Sequence, residues 1–138
     1  GVASSSVKKR DMEKRRQIIL DSSPAMVISI HLNKYSLSSR RGAQVFYKKG
    51  DEKGKILAEC IQSSFNSMPE CVKKTNALVG DYYILNCSSF PSVICECGFL
   101  SNEQDEELLR QEFYQKEIAY SIFKGAIDYM SIETVKFF

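Results

Sequence analysis

The stretch PSVICECGFLSN, residues 91–102, sets one carboxylate, Glu96, between Cys95 and Cys97 inside a run of strand-forming residues. An ionised carboxylate is costly to remove from water, so a glutamate there either lies at a sheet's edge or is retained for chemistry. The chain's one histidine, His31, closes a second apolar run, MVISIH, residues 26–31. Cys-His or Ser-His catalysis would have to run through that imidazole. No G-x-S-x-G elbow is present, and alternation along a strand turns Cys95 and Cys97 away from Glu96. Phosphate cradles of the G-x-G-x-x-G or G-K-[ST] type are absent as well. Metal-assisted hydrolysis suits the pair better, with a neutral imidazole on zinc and a partly buried glutamate exchanging the proton of metal-bound water. Such a site needs three protein ligands, and only one histidine is on offer. From these residues alone, structural roles for both His31 and Glu96 stay open beside the catalytic ones.

The elements that must position this pair follow from local pattern. DMEKRRQIILDS, residues 11–22, reads as a helix capped by Asp11 and stopped by Pro24. Residues 26–31 form a buried strand, residues 32–42 an exposed loop rich in serine and charge, and AQVFY, residues 43–47, a second strand. Ile56, Leu57, Cys60, Ile61 and Phe65 recur at helical spacing between Glu52 and Phe65, and Pro69 closes that helix. YYIL, residues 82–85, and SVICEC, residues 92–97, are expected as strands either side of the turn NCSSFP. Ser101 with Gln104 predicts a capping box and a helix through Leu109, and Phe113, Ile118, Ile122, Ala126, Tyr129 and Met130 mark a long final helix. Alternating strands and helices imply an α/β fold, a mostly parallel sheet covered by helices on both faces. Ligands of such sheets bind beyond the carboxyl ends of the strands, where both His31 and Glu96 are expected.

Bulk composition sets limits. A length of 138 residues, 43% hydrophobic and 26% charged, fits one domain with one core. A net charge of +2 is too small to argue for nucleic-acid binding, and the basic cluster from Lys8 to Arg16 reads as a solvated helix face. No stretch reaches the roughly 18 apolar residues of a membrane span. Residues 1–10, opening GVASSS, are read as a linker or cloning scar, leaving 11–138 as the folded unit. Five cysteines with no C-x-x-C spacing are expected to be free thiols, mostly buried.

ISIHLN (28–33), RGAQVFY (41–47), KILAECIQSSFN (55–66) and PSVICECGFLSN (91–102) followed by DEELL (105–109) together resemble the zinc-dependent N-acetylmuramoyl-L-alanine amidases. The similarity runs from Arg10 to Tyr129 and is nearest the germination and sporulation type. It implies hydrolysis of the amide between N-acetylmuramic acid and L-alanine in peptidoglycan, with zinc held by two histidines and a glutamate. His31 matches the second histidine ligand and Glu96 the catalytic glutamate. Gly98, Phe99, Ser101 and Asn102 match the segment that turns the chain, and Asn33 is expected as a turn former. The family's first strand and helix, which carry the other ligands, have no counterpart, and Glu13 is no substitute. The resemblance therefore implies an N-terminally truncated, partial catalytic domain, expected to be inactive alone, whose exposed sheet edge invites a second copy. The alternative is a non-catalytic amidase-like module that binds peptidoglycan or a protein. Action at the cell wall, outside the cytoplasmic membrane, is implied in the same way. Arg40, Arg41, Lys48 and Lys49 are candidates to meet stem-peptide carboxylates, or else solvated surface.

Overall fold

A computed structural model describes residues 2–34, 39 and 41–134, with side chains from residue 5 onward. Four strands, β1 (Val27–Asn33), β2 (Gln44–Tyr47), β3 (Leu78–Val79) and β4 (Ser92–Phe99), form one sheet in the order β1-β4-β2-β3. Among the described residues five helices accompany them: α1 (Val2–Ser22), α2 (Glu52–Asn66), α3 (Tyr83–Asn86), α4 (Glu103–Leu109) and α5 (Glu112–Thr134).

The α/β class holds, and the sheet is mixed rather than nearly all parallel. β1 pairs with β4 and β2 with β3 in parallel, whereas β2 runs antiparallel to β4. Ten residues, 34–43, separate β1 from β2. That is shorter than the dozen or so a parallel crossover requires, so the chain reverses instead. Residues 35–38 and 40 of the expected loop lie outside the described residues.

Helices cover both faces. On one, Leu57, Ala58, Ile61 and Phe65 of α2 and Ile118, Ile122 and Tyr129 of α5 pack on Val45, Val93, Cys95 and Cys97. The other is thinner: Ile84 and Leu85 of α3 pack on Ile94, joined by Phe46 and by Ile19 of α1. Asp51 caps α2, accepting the Gly54 N–H at 2.8 Å, and its second oxygen takes the Ser92 N–H at 3.2 Å. One carboxylate thus ties the start of α2 to the start of β4.

Several local expectations change. β1 is a half-exposed edge strand rather than a buried one, and of the five cysteines only Cys95 and Cys97 are buried. Tyr83–Asn86 is a helical turn rather than a strand, with Tyr82 extended before it and its ring edge-on to Phe46 at 5.6 Å. Four apolar residues are too few for periodicity to decide between the two. The helix expected from Asp11 begins at Val2, and Asp11 sits inside it, ion-paired to Arg15 at 3.1 Å. The cap of α4 is Asn102 rather than Ser101, its side-chain oxygen accepting the Asp105 N–H at 3.0 Å.

Candidate active site

Parallel pairing of β1 and β4 sets His31 directly beside Glu96. On the other side of β4, Gln44 is the register partner of Glu96, so one rung crosses three strands as His31, Glu96 and Gln44. Cross-strand partners project from the same face of a sheet. Because Ile94 packs under α3, alternation places Glu96 on the α1/α3 face, and His31 with it. Cys95 and Cys97 point into the opposite core, as expected of small apolar groups. Burial pushes the Cys97 thiol up to about 12 and that of Cys95 higher still, so neither is a thiolate nucleophile at neutral pH.

Just past this rung the ladder slips. Between His31 and Asn33 β1 advances two residues while β4, from Glu96 to Phe99, advances three, a bulge of the kind that re-aims side chains at functional sites. Gly98 lies within it, where an added Cβ would come 3.0 Å from Leu109 and 3.3 Å from the Asp105 carboxylate. Beyond it the Leu100 N–H donates to the Asn33 carbonyl at 2.7 Å, and the Asn33 side chain, on the last paired residue of β1, accepts from Lys34 N–H at 2.8 Å.

Glu96 is only 7% exposed, and its Oε2 has no hydrogen-bond donor among the described residues. Desolvation raises its pKa, favouring the proton-bearing form. His31 is held the other way. Burial first, and the positive charge of Arg15 second, lower its pKa and keep the imidazole neutral. Its Nε2 lies 2.7 Å from the Ser29 hydroxyl. A neutral imidazole beside a carboxyl of raised proton affinity can offer a lone pair to a metal and exchange a proton with water.

A catalytic zinc takes three protein ligands. This rung supplies one imidazole and one carboxyl, the sequence holds no second histidine, and among the described residues no three His, Cys, Asp or Glu side chains converge. Among the described residues, this rung by itself does not make up such a ligand set.

Other predicted residues divide by position. Arg41 reaches the rim beyond the end of β4, its Nε 3.3 Å from the Asp105 carboxylate. Lys48 and Lys49 follow the carboxyl end of β2, which runs antiparallel to β4, so they sit at the opposite end of the sheet from Glu96. Arg40 is outside the described residues. Gln44 and Asp105 were not anticipated, for their relation to Glu96 arises only from strand order and long-range hydrogen bonds.

A family model described as N-acetylmuramoyl-L-alanine amidase matches residues 3–128. The chain belongs to this amidase family. Among amidases it is 32% identical over 125 residues to the germination-specific N-acetylmuramoyl-L-alanine amidase of Bacillus subtilis (strain 168), covering 90% of this chain and 52% of that protein. Its fold superposes with a TM-score of 0.87 on the CwlD amidase of Clostridioides difficile, solved in complex with the GerS lipoprotein. Identity to that amidase is 37%, over 91% of this chain and 64% of the other. An N-acetylmuramoyl-L-alanine amidase of Clostridium difficile 630 follows at 0.81 and 26% identity, over 87% of this chain and 65% of its own. The chain thus spans about half the length of its Bacillus subtilis relative and under two thirds of these amidase structures. The germination-type resemblance read from RGAQVFY and the motifs around it agrees with these relatives.

Proposed function

We propose that the protein carrying this chain hydrolyses the amide between N-acetylmuramic acid and L-alanine in peptidoglycan, acting at the cell wall. The observation that supports this most directly is the His31–Glu96 register in a chain of the amidase family. Glu96 is the group that takes a proton from the attacking water as the new C–O bond forms and returns it to the alanine nitrogen as the C–N bond breaks. Its raised proton affinity suits both transfers. His31, held neutral, is one ligand of a zinc ion whose remaining ligands come from residues outside this chain. On this reading the 138-residue chain by itself is inactive. The linker or scar reading of residues 1–10 stays a proposal, with 11–138 as the partial catalytic unit.

The unpaired edge of β1 supports a related proposal. Among the described residues β1 pairs only with β4, and its Ile30 and Leu32 are more than half exposed. A further strand from a longer chain, or from a second copy, fits that edge. Mass measurement at working concentration separates these two. By likeness to the CwlD amidase solved with a lipoprotein, a lipoprotein partner belongs to the same reading.

Digestion of purified peptidoglycan tests the central claim. New α-amino groups on L-alanine should appear with zinc-loaded natural protein, disappear with a chelator, and be absent in His31→Ala together with measurable loss of zinc binding. Peptidoglycan that is bound and left uncut, with His31→Ala binding as well as the unaltered protein, would replace this reading with that of a non-catalytic module.

A further inference from the structure

Resting on the catalytic reading of Glu96, we infer that Asp105 is a positioning residue for it, clamping together the two chain segments that lie just beyond its rung on neighbouring strands. Asp105 is ionisable and only 3% exposed, an arrangement that is costly unless the carboxylate is fully paired. Its Oδ2 accepts the Phe99 N–H at 3.0 Å and the Gly42 N–H at 2.8 Å, and its Oδ1 lies 3.3 Å from Arg41 Nε. Phe99 ends β4, three residues after Glu96. Gly42, with φ of +98°, leads into β2, two residues before Gln44.

The clamp acts where the ladder is weakest. The bulge past His31 and Glu96 interrupts regular pairing of β1 with β4, so the β1–β4 ladder alone does not fix the direction in which β4 leaves the rung. Asp105 supplies a fixed point from outside the sheet. It sits in the first turn of α4, whose start is set by Asn102, and Gly98 leaves the space into which its carboxylate fits. A buried carboxylate that accepts from the end of β4 and from the residue leading into β2, and is ion-paired to a guanidinium, holds both segments to one point. The rung of Glu96 and its partner Gln44 lies just inward of both ends, which meet on the same side of it. Asp105 touches none of the reacting atoms, so its effect passes through backbone geometry.

The test compares Asp105→Asn with Ile118→Val, a core truncation on the opposite face, in both the 138-residue chain and the natural protein that carries it. In the chain, the amide resonances of Gly42 and Phe99 should move in Asp105→Asn, and those of Glu96 and Gln44 should move with them, while Ile118→Val leaves all four in place. In the natural protein, kcat should fall about tenfold to a hundredfold with KM little changed, the range seen when a supporting shell is removed. Arg41→Gln, which keeps both backbone hydrogen bonds, should displace the same resonances in the same direction and by less. Should Asp105→Asn fail to fold, that variant decides. Glu96 and Gln44 resonances that stay fixed while those of Gly42 and Phe99 move would overturn the inference, as would a kcat loss no larger than that of Ile118→Val. If the unaltered natural protein cuts no peptidoglycan, the catalytic reading fails separately, and the resonances still report on the clamp.

Discussion

Gly125 of α5 lies directly against the backbone of Ile61 of α2, so closely that a Cβ built on the glycine would stand 2.5 Å from the Ile61 Cα and 2.8 Å from its nitrogen. Two helix backbones in such contact can accept no side chain between them. Gly125→Ala must push α5 away from α2, loosening the core that Ile61, Ile118 and Ile122 share. Overpacking of this kind costs about 1–3 kcal/mol, well above the gain in helix propensity that alanine brings elsewhere. Chemical denaturation of the two proteins measures it, and an unchanged or raised midpoint would show that the helices separate freely.

Asp51 serves two donors at once, the Gly54 N–H inside the first turn of α2 and the Ser92 N–H at the start of β4. Loss of an N-cap alone costs about 1 kcal/mol. Because Ser92 is buried, removing its acceptor adds the cost of an unsatisfied amide. Asp51→Ala should therefore lose about 2 kcal/mol, and Asp51→Asn, which retains a side-chain oxygen, clearly less. Equal losses in the two variants would mean that charge, not hydrogen bonding, holds this corner.

Much of this was legible in the chain because long, strongly patterned segments carry their own signal. The helix from Glu52 appears with its buried stripe of Leu57, Ile61 and Phe65, and the strand around Glu96 with both cysteines turned to the core. What escaped are relations between segments. No local pattern states that β4 inserts between β1 and β2, and that order is what makes Gln44, Glu96 and His31 one rung. β3 is two exposed residues, Leu78 and Val79, too short to carry any period. The antiparallel turn of β2 also decides which basic residues can approach Glu96. Arg41 stands at that end and Lys48 and Lys49 at the other, a distinction invisible while the sheet is assumed parallel. Asp105 meets Gly42 across 63 positions of sequence, and only its place in the first turn of a helix was readable beforehand.

Glu117 of α5 hydrogen-bonds to the carboxyl of Glu70, and each presents a buried oxygen without a conventional donor. That hydrogen bond first, then desolvation and the Glu70 charge, raise the pKa of Glu117. A folded pKa above the unfolded one favours folding at low pH, and this contribution is lost as pH rises through the folded pKa. Glu117→Gln removes the titration and keeps a donor toward Glu70. Its melting temperature relative to the unaltered chain should be nearly level near about pH 4, where free carboxyls are half protonated, and increasingly favourable toward neutral pH. A difference that stays flat with pH would show that the Glu117 carboxyl is not raised in the folded chain.

Glu96 should show the opposing demands of stability and function in one substitution. Desolvation raises its pKa in the folded chain, so its ionisation works against folding as pH rises through that value. Glu96→Gln has nearly the same shape and no charge to desolvate. Relative to the unaltered chain, its stability should increase toward neutral pH and match it under acid conditions. The same change removes the proton acceptor assigned to the hydrolytic step, and such groups contribute about a hundredfold to ten-thousandfold in rate. In the natural protein, Glu96→Gln should therefore melt higher at neutral pH, bind zinc through an unaltered His31, and lose hydrolysis on that scale. Thermal melts, metal titration and peptidoglycan digestion check the three parts. If hydrolysis survives within tenfold, Glu96 is a buried structural carboxyl and the catalytic base lies elsewhere.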